Sequence, residues 1–304
     1  MSRMAEYEKF TDAAKGEYEK RAGGMKGMLP STISLESILA WKNTCLPEYR
    51  IIEDYFCIRI FDRLRKENYY YMPLGVYEKK SFGRLIDALY EEADENGALL
   101  FMDVREEELA WYRNLEGYRC EISSREADSD YIYRREAMEQ SFEKAGARYN
   151  KRYFIRTCNP CKRNLGGEDA GVCREVVGHA FCAFHECRNC LNGCLKDTIS
   201  NFLYLSDSGQ LRGILVSTGG SYIGYAAGLV QGDTFVFLFK KNCHGYRGLD
   251  EYLQTELLKE LPDTVTWINY TEDMGIEGLR KYKRRLAPYE LRAKYRVLVE
   301  RIEG

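Results

Sequence analysis

Two adjacent carboxylates, Glu272 and Asp273, stand just before a group of cations near the end of the chain. A glycine turn separates them from a segment with helical spacing, whose cations are Arg280, Lys281, Lys283, Arg284 and Arg285. Such a carboxylate can accept a proton from a hydroxyl or an amine. Arg280 and Lys283 lie three residues apart on one helix face, where they could hold a phosphate or polarise an ester carbonyl.

These residues also have a structural interpretation. The acidic pair can bond backbone N–H groups at the start of a helix, and the cations can form a solvated face paired with Glu277. Physical chemistry alone leaves both interpretations open. The segment contains the only dense cationic run that we identify from the sequence, so we expect any polyanion to bind there.

Seven cysteines fall within 37 positions between residues 158 and 194. Two C-x-x-C pairs, Cys158 with Cys161 and Cys187 with Cys190, resemble the four-thiolate frame of a zinc ribbon. We therefore predict a structural zinc site on these four residues. An iron–sulfur cluster would need the same thiolates. Alternatively, the cysteines are small apolar residues on a helix from Glu175 to Leu205.

Composition excludes several classes of protein. The 304 residues are 45% hydrophobic and 30% charged, as in a globular protein of about two domains. A net charge of −2 disfavours non-specific nucleic-acid coating. The sequence has no apolar run of about 18 residues and no secretion signal, so we expect a cytoplasmic protein without a membrane span. Eleven cysteines are then expected to be reduced or metal-bound.

Periodicity predicts an α+β protein. In the first half, the patterns indicate a helix at 29–42, strands at 51–61 and 68–74, a helix at 82–95 and a strand at 99–104. In the second half, antiparallel strands are predicted at 211–218, 221–230 and 234–241, joined by Gly219-Gly220 and Gln231-Gly232-Asp233 turns. These strands are followed by a helix at 249–261, a strand at 265–269, the basic helix and a last strand at 291–299.

Four blocks resemble the phosphatidylglycerol lysyltransferase C-terminal-domain family. Three of them are the segment from Ser34 to Trp41, the segment from Asp130 to Met138, and Tyr149 with the basic residues Lys151 and Arg152. The strongest block contains Asn269, Glu272, Asp273, Gly275, Gly278, Leu279, Arg280, Lys281, Lys283, Pro288, Lys294 and Tyr295. The resemblance lapses from about Thr157 to Asp197, the Cys-rich insertion.

This resemblance implies two tandem GNAT-like (acyl-CoA N-acyltransferase-like) units, which we place at 1–133 and 134–304, with a Cys-rich insertion at 157–197 in the second. It also implies kinship with bacterial enzymes that move aminoacyl groups from transfer RNA to lipids or cell-wall precursors. In acetyl-CoA-using relatives of the fold, a Gly-rich loop after the third strand holds pyrophosphate. Here that loop carries only Gly245 and Gly248, with Arg247 between them, and this disfavours acetyl-CoA.

The leading hypothesis is a transferase that moves an activated acyl group from aminoacyl-transfer RNA to an amine or hydroxyl acceptor, a small molecule or a peptide. Glu272, Asp273 and Tyr295 are the candidate catalytic residues. The candidate donor-binding residues are Asn269, Arg280, Lys281, Lys283, Gly245, Arg247 and Gly248. The alternatives are a non-catalytic metal-binding or regulatory protein on the same fold, and an acetyl-CoA-dependent N-acetyltransferase.

Overall fold

The computed structural model describes residues 6–63, 66–92, 97–182, 194–204 and 209–302. The chain forms two compact units, the first from Met1–Asp128 with Ala293–Gly304 and the second from Ser129–Arg292. The predicted boundary at 133/134 falls within the strand Asp130–Arg134, which pairs into the sheet of the second unit, and the last strand of the chain pairs into the sheet of the first.

The described strands and helices follow in chain order. The strands are β1 (Glu8–Lys9), β2 (Pro47–Ile52), β3 (Tyr55–Asp62), β4 (Glu67–Tyr71), β5 (Ala98–Val104), β6 (Tyr118–Ser124), β7 (Asp130–Arg134), β8 (Cys161–Asn164), β9 (Leu211–Thr218), β10 (Ser221–Gln231), β11 (Thr234–Asn242), β12 (Trp267–Asn269), β13 (Glu290–Arg292) and β14 (Tyr295–Arg301). The α-helices are α1 (Lys15–Ala22), α2 (Leu35–Ala40), α3 (Lys42–Cys45), α4 (Lys79–Tyr90), α5 (Leu109–Arg113), α6 (Arg135–Glu143), α7 (Ala145–Cys158), α8 (Ala170–Val177), α9 (Leu195–Tyr204), α10 (Leu249–Lys259) and α11 (Glu277–Arg285).

Each unit contains one seven-stranded sheet, and the two sheets have the same strand arrangement. The first unit has the order β1-β2-β3-β4-β5-β14-β6, and the second has β8-β9-β10-β11-β12-β7-β13. In both, the fourth and fifth strands form a parallel pair, β4 with β5 and β11 with β12. The strand beside that pair comes from elsewhere in the chain: β14 in the first unit and β7 in the second. The structure thus shows a repeated topology that the sequence does not show as a repeat.

The predicted hairpins of the second half are confirmed. Strands β9, β10 and β11 pair antiparallel, and Gly219 and Gly220 both have positive φ, as the tight turn requires. Two other predictions are wrong. The expected strand at 51–61 is a hairpin whose turn residues, Glu53 and Asp54, have φ of 51° and 67°. The expected strand at 291–299 is divided between β13 and β14, which join different sheets.

The core of the second unit packs helices against the central strands of its sheet. Buried residues from β7, α6, α7, β11 and α10 form one apolar cluster that includes Tyr133, Phe142, Phe154, Phe235 and Leu253. Within the described residues, we find no helix with the length and hydropathy needed to span a bilayer.

Candidate functional site

The turn between β12 and α11 is organised around Lys283, which lies on α11 and is only 3% exposed. Its ammonium donates to the carbonyl oxygens of Tyr270, Thr271 (3.2 Å) and Glu272 (2.8 Å). Thr271 has a φ of 54°, which turns the backbone so that successive carbonyls converge. Burial lowers the pKa of Lys283 to about 8, although the neighbouring carboxylates favour the charged form.

Asp273, in the same turn, accepts several hydrogen bonds and is fully buried. Its carboxylate accepts a hydrogen bond of 2.7 Å from the Tyr131 hydroxyl and one of 2.8 Å from the Gly275 N–H. The Arg280 guanidinium adds two bonds, of 2.9 and 3.1 Å. Burial alone would raise the pKa of Asp273, but these donors, led by Arg280, hold it at about 2. Asp273 is therefore ionised at neutral pH and is a poor proton acceptor.

Asn269 connects the end of β12 to the neighbouring strand β7. Its side-chain amide donates to the Asp130 carboxylate at 2.9 Å, and its side-chain oxygen accepts from the Thr271 N–H at 2.9 Å. Asn269 and Asp130 are both fully or almost fully buried. In this structure, both side-chain groups of Asn269 hold the turn in place.

The positions of the α11 cations differ from the exposed face that the sequence predicts. Lys283 points inward to backbone carbonyls, and Arg280 is bound to Asp273 and one-third exposed. Lys281 is on the surface, paired with Glu277 at 2.6 Å. Burial of Lys283 corrects the interpretation of the α11 cations as one solvated face. Glu272 is half-buried and presents its backbone carbonyl to Lys283.

Replacing Lys283 with Met should destabilise the second unit by about 2 kcal/mol, because three carbonyl oxygens would lose a buried donor. The matched control is Lys281→Met, which removes an exposed, paired charge and should change the free energy of unfolding by at most about 0.5 kcal/mol. Urea unfolding of both variants measures the difference. Equal stabilities would contradict the assigned contacts of Lys283.

The loop that corresponds to the phosphate loop of acetyl-CoA-using relatives, residues 242–248, packs against α7. Gly248 has a φ of 88°, and a Cβ at this position would lie well under 3.0 Å from the Asn150 carbonyl oxygen. Arg247 donates to the Asn150 side chain at 3.0 Å, and Asn150 donates to Glu251 at 3.0 Å. Asp250 and Glu251 occupy the first turn of α10, where they disfavour an anion. The backbone of α7 thus lies where a phosphate would need to approach Gly248.

Strands β11 and β12 pair only from Thr234 to Val236 on β11, which continues to Asn242. Side chains of the second unit contact one another beside the rest of β11, a region here called the β11–β12 slot. Phe237 and Tyr270 make an edge-to-face contact at 4.5 Å, and Tyr270 donates to Gln254 at 2.9 Å. Lys240 pairs with Asp250 at 2.5 Å, and Gln254 donates to the Tyr282 hydroxyl.

A second cationic surface lies on α7. It is not among the surfaces predicted from the sequence. Arg148, Arg152 and Arg156 recur every four residues and are exposed. Arg247 lies over the rings of Tyr149 and Tyr153, at 5.2 and 5.4 Å from their centroids. The signal was present: the helix Ala145–Cys158 contains no Asp or Glu. This corrects the expectation that the 280–285 run is the only dense cationic group.

Tyr295 begins β14, opposite Val104 and Ser124, and so belongs to the first unit. The other candidate catalytic and donor-binding residues belong to the second unit. Nothing in the contacts of Tyr295 assigns it a chemical role.

The first C-x-x-C pair is a helix-to-strand turn. Cys158 ends α7, Asn159 follows with a left-handed φ of 41°, and Cys161 begins β8. Cys187 and Cys190 lie outside the described residues. Among the residues that are described, no group of three or more His, Cys, Asp or Glu side chains is arranged to hold a metal ion. The four-cysteine zinc site therefore stays a prediction.

Comparisons with known proteins agree with this architecture. A sequence model described as phosphatidylglycerol lysyltransferase, C-terminal, matches residues 186–298. No curated protein sequence matches. A conserved protein of unknown function from Bacteroides thetaiotaomicron has 20% identity and a TM-score of 0.82, over 98% of this chain and 100% of that chain.

Two further structures connect the chain to the expected fold. L-PGS from Bacillus licheniformis has 16% identity and a TM-score of 0.65, over 97% of this chain and 93% of that chain. A tandem GNAT protein from the clavulanic acid biosynthesis pathway has 9% identity and a TM-score of 0.54, over 98% and 99% of the two chains. The protein is thus an α+β chain with two tandem GNAT-like units. Its predicted resemblance to the phosphatidylglycerol lysyltransferase C-terminal family is confirmed.

Proposed function

We propose that the protein is an acyltransferase that moves an activated acyl group to an amine or hydroxyl acceptor, with an aminoacyl ester of transfer RNA as donor. The family match over residues 186–298 and the tandem GNAT-like fold support an acyl-transfer reaction. Two features of the second unit favour an aminoacyl ester over acetyl-CoA as the donor.

The closed 242–248 loop is the observation that carries this choice. A coenzyme A pyrophosphate needs backbone N–H groups that are open at the start of a helix. Here the Asn150 carbonyl lies against Gly248, and Asp250 and Glu251 bring negative charge to the same turn. In the β11–β12 slot, Phe237 contacts Tyr270 and Lys240 pairs with Asp250, beside the part of β11 where the arm of the coenzyme would need to lie.

In the first unit, the loop after β4 also lacks the spacing of a phosphate loop. Residues 72–78 contain one glycine, Gly75, and one proline, Pro73. The bridge between Leu74 and Phe56 fixes this segment to β3. Neither unit therefore supplies the repeated glycines that allow a backbone to surround pyrophosphate.

Glu272 is the candidate general base in this proposal. It is half-buried beside Asp273, which stays ionised in its own network of donors. A base must reach the acceptor proton within about 3 Å when the substrate is bound. Arg280 and Lys281 are the α11 cations that we propose near the donor, with Lys283 holding the turn that positions Glu272.

Donor binding and transfer test the proposal together. Thermal unfolding is measured with acetyl-CoA, aminoacyl-transfer RNA and uncharged transfer RNA. At a hundredfold excess over Kd, a donor stabilises the native state by about 2.7 kcal/mol, which raises the melting temperature by several degrees. We expect the rise with transfer RNA and none with millimolar acetyl-CoA. Stabilisation by acetyl-CoA alone would overturn the choice of donor.

A second experiment measures transfer of the aminoacyl group from the donor ester to an acceptor. Aminoacyl-transfer RNA labelled in the amino acid is incubated with the protein and a panel of amines and hydroxyl compounds. Glu272→Gln should lower the rate of transfer at least tenfold without weakening donor binding, whereas the exposed control Glu277→Gln should leave both unchanged. No transfer to any acceptor by the unaltered protein, with donor bound, would favour the non-catalytic alternative.

A further inference from the structure

The outward face of α7 and one residue of the 242–248 loop form a continuous surface on the second unit, here called the arginine–tyrosine surface. Its members are Arg148, Tyr149, Arg152, Tyr153, Arg156 and Arg247. Residues four apart on a helix are separated by about 6 Å along its axis. The three arginines of α7 therefore form a row, with the tyrosines beside it.

The three arginines of α7 form no ion pair with a carboxylate in the described part of the chain. No carboxylate in the described parts of the chain lies within 4.0 Å of the Arg148, Arg152 or Arg156 guanidinium. Glu143, which pairs with Lys151 at 2.7 Å, interacts electrostatically with Arg148 and Arg152. The pKa of Glu143 is lowered, first by its hydrogen bond with Lys151 and further by the charges of Arg148 and Arg152. Three exposed cations in one row favour a polyanion.

Arg247 links the aromatic part of the surface to the 242–248 loop. Arg247 stacks over Tyr149 and Tyr153 and is fixed by its 3.0 Å bond to Asn150. The close packing of Gly248 on Asn150 keeps the loop against α7. Tyr149 is nevertheless 56% exposed, so part of its ring is open to a ligand. An exposed tyrosine ring beside guanidinium groups suits a nucleic-acid base.

We propose that the arginine–tyrosine surface binds RNA, with Arg148, Arg152 and Arg156 contacting phosphates and Tyr149 stacking on an unpaired base. The inference rests on the proposed function only in naming transfer RNA as the natural source of that RNA. It assigns the contacts with RNA phosphates to α7, whereas Arg280 and Lys281 of α11, which are paired with Asp273 and Glu277, stay assigned to the reacting end of the donor.

The same surface is poorly suited to an anionic bilayer. A helix that lies in a membrane interface inserts an apolar face into the lipid. The apolar face of α7 is in the core, where Phe154 is fully buried, and Ile155 is the aliphatic side chain of its outward face, at 45% exposure. Phosphate contact combined with aromatic stacking is instead typical of RNA recognition.

Fluorescence anisotropy with the full chain and an uncharged RNA hairpin carrying a single-stranded 3′ tail tests the proposal. The variant Arg148→Ala/Arg152→Ala/Arg156→Ala removes three phosphate contacts. It should bind at least tenfold more weakly at 0.1 M salt, and its plot of log affinity against log salt should be shallower by about 2. Arg148→Lys/Arg152→Lys/Arg156→Lys, which keeps the charges, should retain most of that slope.

Two controls separate this surface from general charge and from folding. Lys9→Ala/Lys20→Ala/Lys26→Ala removes three exposed cations from the first unit and should leave affinity and slope close to those of the unaltered protein. Tyr149→Ala should weaken binding to the tailed hairpin about tenfold, but not to a blunt duplex, because the blunt duplex has no unpaired base. Melting temperatures of all variants verify that they fold.

The RNA affinities of these variants decide whether the arginine–tyrosine surface binds RNA. Unchanged RNA affinity in the triple Ala variant, or tighter binding of the chain to anionic vesicles than to RNA, overturns the proposal. Loss of RNA binding in that variant, with the Lys variant and the first-unit control retaining it, supports it. Because the probe carries no amino acid, RNA binding without acyl transfer would leave this inference standing while the proposed function fails.

Discussion

Replacing Gly248 with Ala should destabilise the second unit by about 3 kcal/mol or more. The methyl group would lie well under 3.0 Å from the Asn150 carbonyl oxygen, a backbone atom that cannot move without shifting α7. The left-handed φ of 88° adds about 1–2 kcal/mol for any residue with a Cβ, and overpacking of this kind typically costs about 1–3 kcal/mol. Unfolding in urea, followed by circular dichroism, measures the change.

Gly245 is the matched control in the same loop. Its φ is 90°, yet a Cβ there would meet no heavy atom within 4 Å. Gly245→Ala should therefore cost only the backbone contribution, about 1–2 kcal/mol. If both substitutions cost the same, the close packing of the loop on α7 would be wrong, and with it the argument that this loop is closed to pyrophosphate.

The parts of the fold that depend on short-range pattern were predictable. The β9–β10–β11 meander follows from alternating apolar residues and glycine-containing turns, and its observed strands agree with the predicted ones within one residue. The turn at Glu53 and Asp54, which both adopt positive φ, was missed because it contains no glycine or proline, although Asp54 is a residue type that favours turns. Tertiary pairing of β2 with β3 holds them there.

The positions of the last two strands depend on long-range pairing. The sequence from 290 to 301 has an apolar pattern but no proline or glycine within it, so it predicts one strand. In the structure, β13 pairs with β7 and β14 pairs with β5 and β6. Local sequence does not encode which of two sheets a strand joins, because that choice depends on an open edge formed by distant residues.

The side-chain positions in the candidate site were likewise only partly predictable from the local sequence. Charge alone suggested that Lys283 faces solvent, although it lies four residues after Leu279 and three before Leu286, on the apolar side of α11. That spacing was the available signal for its burial. The α7 arginines illustrate the converse, since a helix of 14 residues without an acidic residue was visible in the sequence. What the sequence could not show was the stacking of Arg247 from a distant loop onto the same face.

Replacing Asp273 with Asn should destabilise the second unit by about 2 kcal/mol at neutral pH. The carboxylate has a pKa of about 2 in the native state, against 3.8 as the reference for the unfolded chain. Asn would lose the paired bonds from Arg280 and place an amide N–H₂ against a guanidinium or a hydroxyl donor. The exposed control is Glu277→Gln, which removes a carboxylate paired only with Lys281 on the surface and should cost at most about 0.5 kcal/mol.

The pH dependence of this difference identifies its cause. A carboxyl whose pKa is lowered by folding stabilises the native state above its unfolded pKa, and this contribution declines as the pH falls towards the native pKa. The stability difference between the unaltered protein and Asp273→Asn should therefore be constant from pH 7 to about 5 and shrink between about pH 4 and 2. Measuring the difference between two proteins cancels most other carboxyl titrations. A difference that does not shrink over this range would show that Asp273 acts through shape and packing, and Asp273 would then return as a candidate proton acceptor beside Glu272.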